Sequence, residues 1–343
     1  MRRALILALP LLLAAADPPR DWKESPAILQ IDTPGDVYAA GDIHGDYERF
    51  TALLTGAGVI ARVPKTRGRA EWNAGAAVLV VTGDMIDKGP DAVGVLAFLR
   101  SLTASAAAAG GRVVVLMGNH EAEFLAGPSA SKGAEFAGQL KAAGLEPKDV
   151  AACGGDLGRY LCSLPLAVRV NDWFFSHAGN TAGRTLPQLA ADLEGGVSRD
   201  GFASRQLIGD NSILEARIGE KGPGGRAWFE AGGSRIPAAR LLADYAAALG
   251  VHHIVEGHHH AKTLFPDGAS RKPGEMFNWR GELFLIDTGM SRDIGDSAGS
   301  LLHIRTAQKN AAVVCPDGRE TALWDARLPE RTAAAGPCRE RPN

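Results

Sequence analysis

Short apolar runs recur along the chain, and five of them end directly in a small polar motif. Each run is four to six residues long and rich in Val, Ile, Leu or Phe, which predicts β-strands that are buried on both faces. The runs are residues 37–40 before GDIHGD, 77–82 before GDMIDKGP, 112–117 before GNHE, 173–176 before HAGN and 253–256 before GHHH.

Helical patterns alternate with these runs. The Ala- and Leu-rich stretches bounded by Gly predict helices at residues 47–57, 91–109, 134–143 and 238–249. A strand followed by a helix, repeated along the chain, predicts an α/β sandwich with parallel strand pairing. Three late apolar runs, at residues 283–286, 301–305 and 311–314, predict a second sheet.

One region interrupts the alternation. Residues 180–235 are rich in Gly and charge, and they predict an insertion or lid above the site, with an ordinary surface excursion as the alternative. The predicted boundaries are residues 27–325 for one main domain, which includes the insertion, and residues 326–343 for a C-terminal tail.

The first residues have the pattern of a secretory signal peptide. Arg2 and Arg3 precede an apolar run, and Ala14 and Ala16 form the small-residue pattern of a cleavage site after residue 16. The apolar run is shorter than the roughly 20 residues of a membrane-spanning helix. We expect a periplasmic or secreted protein that is free of the membrane after cleavage, with an uncleaved anchor or a buried segment as alternatives.

Composition excludes few functions. Of 343 residues, 45% are hydrophobic and 22% are charged, which is typical of globular proteins. The net charge of -2 gives no basic bias, so the sequence does not indicate nucleic acid as a partner. Four cysteines fit an oxidising compartment. Proximity favours the pairs Cys153–Cys162 and Cys315–Cys338, while the two other pairings and four free thiols stay open.

The five motifs contain side chains that bind metals. Asp42 and His44, Asp84 and Asp87, Asn119 and His120, His177, and the pair His258 and His260 follow successive strands, and six of the nine histidines lie in these motifs. Carboxylate, amide and imidazole groups together suit divalent transition metals. In open α/β sheets ligands bind at the carboxyl ends of the strands, so the pattern predicts a metal site there.

The order of the motifs resembles the calcineurin-like metallophosphoesterases. That family has GDxHG, GDxxDRG, GNHE, a later His-Gly element and GHxH in this order, and the match spans about residues 36–290. The phosphoprotein phosphatase branch is the most similar part of the family, and the exported setting most resembles its Shewanella-like group. We therefore expect a four-layer α/β/β/α sandwich with two mixed sheets and a metal site at the carboxyl ends of strands.

The resemblance implies two metal ions and a set of ligands for each. Asp42, His44, Asp84 and His260 would bind the first ion, and Asp84, Asn119, His177 and His258 would bind the second. The ions would be manganese, iron or zinc, which mixed nitrogen and oxygen ligands do not distinguish. The resemblance also implies that His120 donates a proton to the leaving group and that Asp87 orients His120.

The motifs that would bind phosphate depart from the family pattern. Lys88 stands where the family has Arg, which keeps the charge and loses the planar fork that binds two oxygens. Arg217 matches the second family Arg loosely, and Arg205 and Arg226 are rivals for that role. GHHH also supplies a second metal-binding His that many phosphoprotein phosphatases lack.

The function that the resemblance implies is hydrolysis of phosphate monoesters by attack of a hydroxide that bridges the two metals. The substrate would be a phosphorylated protein, with Ser, Thr or Tyr phosphate, or a small phosphate ester. A phosphodiesterase or a nucleotide or sugar-phosphate hydrolase of the same superfamily is the alternative. A metal-binding protein without catalysis is a third possibility.

Overall fold

Two mixed β-sheets form the centre of the fold, which the computed structural model describes over residues 20–67, 69–218 and 237–340. The strands are β1 (Ile28–Ile31), β2 (Val37–Ala40), β3 (Val78–Val81), β4 (Arg112–Val115), β5 (Ala167–Val170), β6 (Trp173–Ser176), β7 (His253–Glu256), β8 (Thr263–Leu264), β9 (Ser270–Arg271), β10 (Met276–Trp279), β11 (Leu283–Leu285), β12 (Leu301–Arg305), β13 (Asn310–Val314), β14 (Glu320–Asp325) and β15 (Ala333–Ala335). The five strands predicted before the motifs are confirmed as β2, β3, β4, β6 and β7.

Four of the described helices fall where the sequence predicts them, and the other five have no counterpart in the prediction. They are α1 (Tyr47–Gly56), α2 (Ala92–Ala108), α3 (Asn119–Ala126), α4 (Ala134–Ala142), α5 (Pro147–Ala151), α6 (Gly155–Ser163), α7 (Leu186–Asp200), α8 (Arg205–Ile208) and α9 (Ala238–Leu249), with a 3-10 turn at Gly201–Ala203. Carboxylates begin the first two, because Asp46 accepts from the Arg49 N–H and Asp91 from the Gly94 N–H. The four predicted helices are confirmed as α1, α2, α4 and α9.

Parallel strands lie side by side in each sheet. The six-stranded sheet has the order β14-β13-β12-β2-β3-β4, in which β2, β3 and β4 are parallel. The seven-stranded sheet has the order β1-β5-β6-β7-β11-β10-β15, in which β6, β7 and β11 are parallel. A two-stranded ribbon of β8 and β9 lies outside both.

Successive side chains of the central strands pack alternately against the other sheet and against the helices, which gives the fold its layers. In β3, Val78 and Val80 belong to a core shared with the other sheet, whereas Leu79 belongs to a core shared with helices. In β6, Phe175 faces the other sheet and Phe174 faces the helical layer. Since side chains point alternately to the two faces of a strand, apolar residues at every position need apolar neighbours on both sides. The predicted α/β fold with two mixed sheets is confirmed.

The prediction that the late strands form the second sheet is wrong. β11 pairs with β7 in the seven-stranded sheet, while β12 pairs with β2 and extends the six-stranded sheet. The apolar pattern shows that these residues are buried, but it carries no information about which distant strand accepts their hydrogen bonds. The second sheet instead forms around β6 and β7.

Two disulfides close the fold, and both follow the pairing that proximity favours. Cys153 is bonded to Cys162, and Cys315 to Cys338. The segment set apart as a C-terminal tail supplies β15 to the seven-stranded sheet. In the predicted insertion, residues 180–218 include α7 and α8, and residues 219–235 lie outside the described part of the chain.

No helix within residues 20–67, 69–218 and 237–340 has the length and apolar character needed to cross a bilayer. The predicted signal peptide, residues 1–16, lies outside the described residues.

Candidate metal centre

The motif residues meet at one edge of the sandwich, where parallel strands of both sheets end. The six-stranded sheet supplies the ends of β2, β3 and β4, and the seven-stranded sheet supplies the ends of β6 and β7. The side chains that follow are Asp42 and His44 after β2, Asp84, Asp87 and Lys88 after β3, Asn119 and His120 after β4, His177 after β6 and His258 after β7. All of these residues except Lys88 are buried.

The backbone turns sharply at these strand ends. Five motif residues have left-handed backbone conformations: His44 (φ 46°), Asp84 (φ 51°), Asp87 (φ 58°), Lys88 (φ 50°) and His258 (φ 61°). Non-glycine residues adopt this conformation rarely, and it costs about 1–3 kcal/mol each unless the surroundings enforce it. Such strain collects at functional sites, and here it turns the side chains toward a common centre.

Two motif glycines make room for carboxylates of neighbouring motifs. A Cβ on Gly118 would lie 2.2 Å from Asp84 Oδ1, and a Cβ on Gly257 would lie 2.4 Å from Asp42 Oδ1. Any side chain at these positions would displace the acid that it faces. The Gly of GNHE and the Gly of GHHH are therefore required by the close approach of two motifs rather than by turn geometry.

Asp84 lies at the middle of the centre. Its Oδ2 is 3.7 Å from His44 Nε2 and 3.9 Å from His120 Nε2, while its Oδ1 is 3.5 Å from His177 Nε2. Two groups of donors able to hold a metal ion share this carboxylate: His44, Asp84 and His120 form one, and Asp84, His177 and His258 form the other. In each group the donor atoms lie within 4.8 Å of one another.

Hydrogen bonds fix which nitrogen of His177 faces the centre. Burial lowers the pKa of His177, so the ring is neutral and carries one N–H. Its Nδ1 lies 3.0 Å from the Thr82 carbonyl oxygen, which can only accept, so Nδ1 holds the hydrogen. The Nε2 lone pair then faces Asn119 Oδ1 at 3.0 Å.

The Asn119 side chain is oriented by a partner on its other side. Its Nδ2 donates to Glu215 Oε1 at 3.0 Å, which directs Oδ1 toward His177. The Asn119 oxygen and the His177 nitrogen are both acceptors, and two acceptors at this distance repel each other. A cation beside them would remove the repulsion, and so the donor set fits a metal ion.

His44 has the same arrangement on the other side of Asp84. Burial lowers the pKa of His44 to about 4, and its Nδ1 lies 3.0 Å from the Ile86 carbonyl oxygen. The neutral ring therefore directs its Nε2 lone pair inward, 3.8 Å from Asp42 Oδ2. A carbonyl that fixes the tautomer of a histidine is the usual support of a metal ligand.

Buried negative charge also favours a cation here. Burial, together with the nearby carboxylates of Asp287 and Asp84, raises the pKa of Asp42 well above its usual value. On His258, burial lowers the pKa well below its usual value, and Nε2 has no hydrogen-bond partner among the described residues. A buried nitrogen without a hydrogen-bond partner and buried acids that lie close together both raise the free energy of the folded protein unless an ion binds there.

His120 and Asp87 form a hydrogen-bonded pair next to the ligands. His120 Nδ1 lies 2.9 Å from Asp87 Oδ2, and Asp87 Oδ1 accepts from the Phe136 N–H at 3.1 Å. Burial alone would lower the pKa of His120, but Asp84 and the bond to Asp87 outweigh it and raise the pKa. His120 can therefore hold a proton on the Nε2 that faces the centre.

Two cationic side chains border the centre. Lys88 Nζ lies 3.4 Å from His44 Nε2. The half-buried Arg217 is close enough that its charge, after burial and His177, helps to lower the pKa of His258. Its rival Arg205 lines a cavity whose lining includes none of the predicted metal ligands, and Arg226 lies outside the described residues.

His260 forms a hydrogen-bonded pair with an acid outside the motifs, and its role as a metal ligand stays a prediction. Its Nδ1 lies 2.6 Å from Asp296 Oδ2, and its side chain is 36% exposed. In the described part of the chain, neither group of metal-binding side chains includes His260. Asp42 is also outside both groups, although it lies between His44 and His177, 4.0 Å from His177 Nδ1.

Three residues at the centre have no assigned role in the sequence analysis. Glu121 accepts the N–H groups of Gly118 and Asp84, Glu215 orients Asn119, and Asp287 lies near Asp42. Asp287 follows the apolar run of β11, so the signal that found the other strand-end residues applies to it as well. Glu215 lies in a turn without such a signal.

Comparison with known proteins gives one family and several partial relatives. The family model for calcineurin-like phosphoesterase matches residues 36–262. Shewanella-like protein phosphatase 2 of Arabidopsis thaliana is 33% identical over 105 residues, which are 30% of this chain and 25% of the relative. A symmetrical bis(5'-nucleosyl)-tetraphosphatase of Cronobacter sakazakii is 32% identical over 90 residues, 26% of this chain and 25% of the relative. The chain thus spans about a quarter of the length of these relatives.

The fold is also found among solved structures. The crystal structure of a cold-active protein-tyrosine phosphatase of a psychrophilic Shewanella species aligns with a TM-score of 0.64 at 21% identity. The alignment covers 86% of this chain and 82% of that one. At this identity the likeness shows a shared fold.

Proposed function

Since the chain belongs to the calcineurin-like phosphoesterase family, which makes it a metal-dependent hydrolase of phosphate esters, we propose that it removes phosphate from monoesters on proteins. The observation that carries the proposal is the set of inward-facing acceptors around Asp84. His44, His177 and Asn119 each have a hydrogen-bond partner on the outer side, so His44 Nε2, His177 Nε2 and Asn119 Oδ1 face inward around Asp84.

The residues around the centre have separate tasks in this reaction. Bound cations would supply Lewis acidity toward the phosphate oxygens and would lower the pKa of a coordinated water. Lys88 and Arg217 place positive charge where the phosphate dianion enters. His120 donates its Nε2 proton to the leaving oxygen, and Asp87 holds the Nδ1 hydrogen so that the ring keeps its orientation.

A cavity next to the centre favours a polypeptide substrate. It measures about 440 Å³, and Asn180, three residues after His177, lines it. Three residues span at most about 11 Å, so the Asn180 backbone lies within that distance of the backbone of His177, a predicted ligand. Arg205, Gln206 and Ser212 also line it, and no aromatic side chain does so among the described residues. Amide and hydroxyl groups suit a peptide, whereas nucleobases are commonly bound by aromatic stacking.

Hydrolysis of nucleoside polyphosphates is the second candidate. It is supported by the relative named a symmetrical bis(5'-nucleosyl)-tetraphosphatase, which matches about as much of this chain as the protein phosphatase does. The match to each relative covers about a quarter of that protein, so neither relative decides the substrate.

A substrate panel on metal-reconstituted protein tests the proposal. We expect p-nitrophenyl phosphate and phosphopeptides to be hydrolysed, with higher kcat/KM for the peptides, and the bis(p-nitrophenyl) diester to be hydrolysed poorly. A higher kcat/KM for diadenosine tetraphosphate than for every phosphopeptide would replace the proposal with the second candidate. Inactivity on all four substrates by protein that has bound metal would overturn both.

We also propose that the protein acts outside the cytoplasm. The predicted signal peptide and the two disulfides support export, because disulfides persist in oxidising compartments. Expression of the full chain with its N-terminus intact, followed by mass measurement of the periplasmic fraction, should find protein that begins at Asp17. Protein that remains uncleaved in the cytoplasm would contradict the proposal.

A further inference from the structure

Arg271 is a fully buried arginine whose side chain forms hydrogen bonds within the protein. Its exposed fraction is 0%, and it lies on β9 of the two-stranded ribbon, outside both main sheets. Burying a guanidinium is costly unless its N–H groups are hydrogen-bonded. The direction in which these groups point therefore shows what the side chain holds in place.

The guanidinium donates to backbone carbonyls of three segments. Nε donates to the Glu275 carbonyl at 2.8 Å, Nη1 to the His259 carbonyl and Nη2 to the Asp287 carbonyl. Nη1 also lies 3.5 Å from the Ala261 carbonyl oxygen. His259 follows β7 and Asp287 follows β11, and these are neighbouring parallel strands. A planar fork thus joins two adjacent strand ends to the ribbon.

The two loops that Arg271 holds both touch the metal centre. His258 directly precedes His259, has a left-handed backbone, and donates its N–H to Asp42 Oδ1 at 2.9 Å. Asp287 packs against the first motif so closely that a Cβ on Gly41 would lie 2.7 Å from its Cα. Displacing either carbonyl would move His258 or Asp287 relative to Asp42.

We propose that Arg271 is a positioning residue that holds the His258 loop in its metal-binding conformation before any ion binds. The proposal rests on the function assigned above, because it concerns the ligands of that centre. Lysine is a poor replacement, since a single ammonium group has no planar fork with which to reach carbonyls on three segments. Burial lowers the pKa of Arg271, and the nearby carboxyl groups of Asp287 and Glu256 oppose that shift.

The chain offers a matched control in a second buried arginine. Arg20 has an exposed fraction of 5% and also donates to backbone carbonyls, those of Ser25, Pro26 and Leu164 among them. None of these acceptors belongs to a metal motif. Replacing Arg20 with Lys therefore measures the general cost of removing a buried fork without touching the centre.

The test compares the metal affinity of Arg271→Lys and Arg20→Lys without substrate. Metal-free protein would be titrated with Mn²⁺ in a calorimeter, below the unfolding midpoint of each variant. We expect Arg271→Lys to lower the affinity for at least one Mn²⁺ ion about 10- to 100-fold, which is the usual effect of removing a residue that orients a metal ligand. Arg20→Lys should stay within about twofold of wild type, although both variants unfold at lower temperature. Equal effects of the two substitutions, or normal affinity in Arg271→Lys, would overturn the proposal.

Hydrogen exchange on the wild-type protein tests the same point without a variant that could fail to fold. If Arg271 orders the loop in advance, the amides of residues 257–261 should be protected in metal-free protein nearly as well as in metal-loaded protein. Rapid exchange of these amides in metal-free protein would refute the proposal. If wild type binds two ions but hydrolyses no ester, the proposed function fails while the role of Arg271 stands.

Discussion

The two sheets hold their halves of the centre with buried side chains of opposite hydrogen-bonding character. On the six-stranded side, the Glu121 carboxylate accepts four backbone N–H groups from the loops after β3 and β4. On the seven-stranded side, the Arg271 guanidinium donates to carbonyl groups of the loops after β7 and β11. Each pair of loops leaves one kind of backbone group unpaired, and a buried side chain of the complementary kind, acceptor or donor, satisfies it.

The halves also differ in the donors that they contribute. The six-stranded side supplies the oxygen donors of Asp42, Asp84 and Asn119 and the imidazole of His44, whereas the seven-stranded side supplies the imidazoles of His177 and His258. Asp84 is the residue that both donor groups share. The comparison teaches that a metal centre of this composition requires two independently supported sheets to meet, because neither side alone has the donors for two ions.

Replacing Asp84 with Asn should have the largest effect, because it removes the carboxylate common to both halves. We expect activity on p-nitrophenyl phosphate to fall more than about a thousandfold, since losing even one stabilising donor costs about a hundred- to a thousandfold. Metal content, measured by mass spectrometry, should fall with it. Asp172→Asn, at an exposed acid paired with His252, is the control and should change neither. Near-normal turnover in Asp84→Asn would refute the shared bridge.

Replacing His120 with Asn should separate catalysis from metal binding. A general acid contributes about a hundred- to ten-thousandfold, so kcat should fall by that amount. Metal content should stay at the wild-type level, because the other donors of both sheets remain. A loss of metal equal to that of Asp84→Asn would mean that His120 is a ligand rather than a proton donor.

Replacing Asp87 with Asn should change the pH dependence on the six-stranded side. The bond to Asp87 helps to raise the pKa of His120, and the acid must be protonated to act. Asn keeps an oxygen that can accept the Nδ1 hydrogen but removes the negative charge, so the pKa of His120 falls. The high-pH limb of kcat should therefore move to lower pH, with kcat reduced about 10- to 100-fold. An unchanged limb would show that another group donates the proton.

Replacing Glu121 with Gln should weaken the six-stranded half alone. Each oxygen of the Glu121 side chain accepts two backbone N–H groups. In Gln an NH₂ group replaces one oxygen, so two backbone N–H groups would face another N–H donor and lose their acceptor. We expect the free energy of unfolding to fall by about 2–4 kcal/mol, measured by denaturant titration. Glu123→Gln, whose partner Lys132 is half-exposed, should cost less than about 1 kcal/mol. Equal costs would contradict the role assigned to Glu121.

Replacing Lys88 with Arg should have the smallest effect. A guanidinium can bind two phosphate oxygens at once, which an ammonium group cannot do in the same plane. We expect KM for p-nitrophenyl phosphate to fall about two- to fivefold with kcat little changed, a difference below about 1 kcal/mol. The exposed Lys148→Arg should leave KM unchanged. A higher KM would show that Lys88 does not face the phosphate.

Local pattern was sufficient for the elements that carry the site. The runs before GDIHG, GDMID, GNHE, HAG and GHHH are strands, because a buried parallel strand is recognisable in the sequence as an apolar run. The donors after these strands converge because parallel strands end at one edge of their sheet. His260 shows the limit of this reasoning. Its spacing from His258 matches a ligand pair, yet its ring pairs with Asp296, which lies 36 residues away in sequence. Spacing fixes which residues follow a strand but not what their side chains meet.

By itself, the sequence determined the strands before the motifs, four of the helices and the types of donor side chain that follow the strands, because these depend on local periodicity and side-chain chemistry. Proximity favoured both disulfide pairs without excluding the other pairings. Tertiary structure alone decided which sheet each late strand joined, and it alone revealed the support given by Glu121, Glu215 and Arg271. These interactions join residues distant along the chain or depend on which backbone groups are left unpaired. No local pattern records such a pairing, because it exists only once the two sheets have packed together.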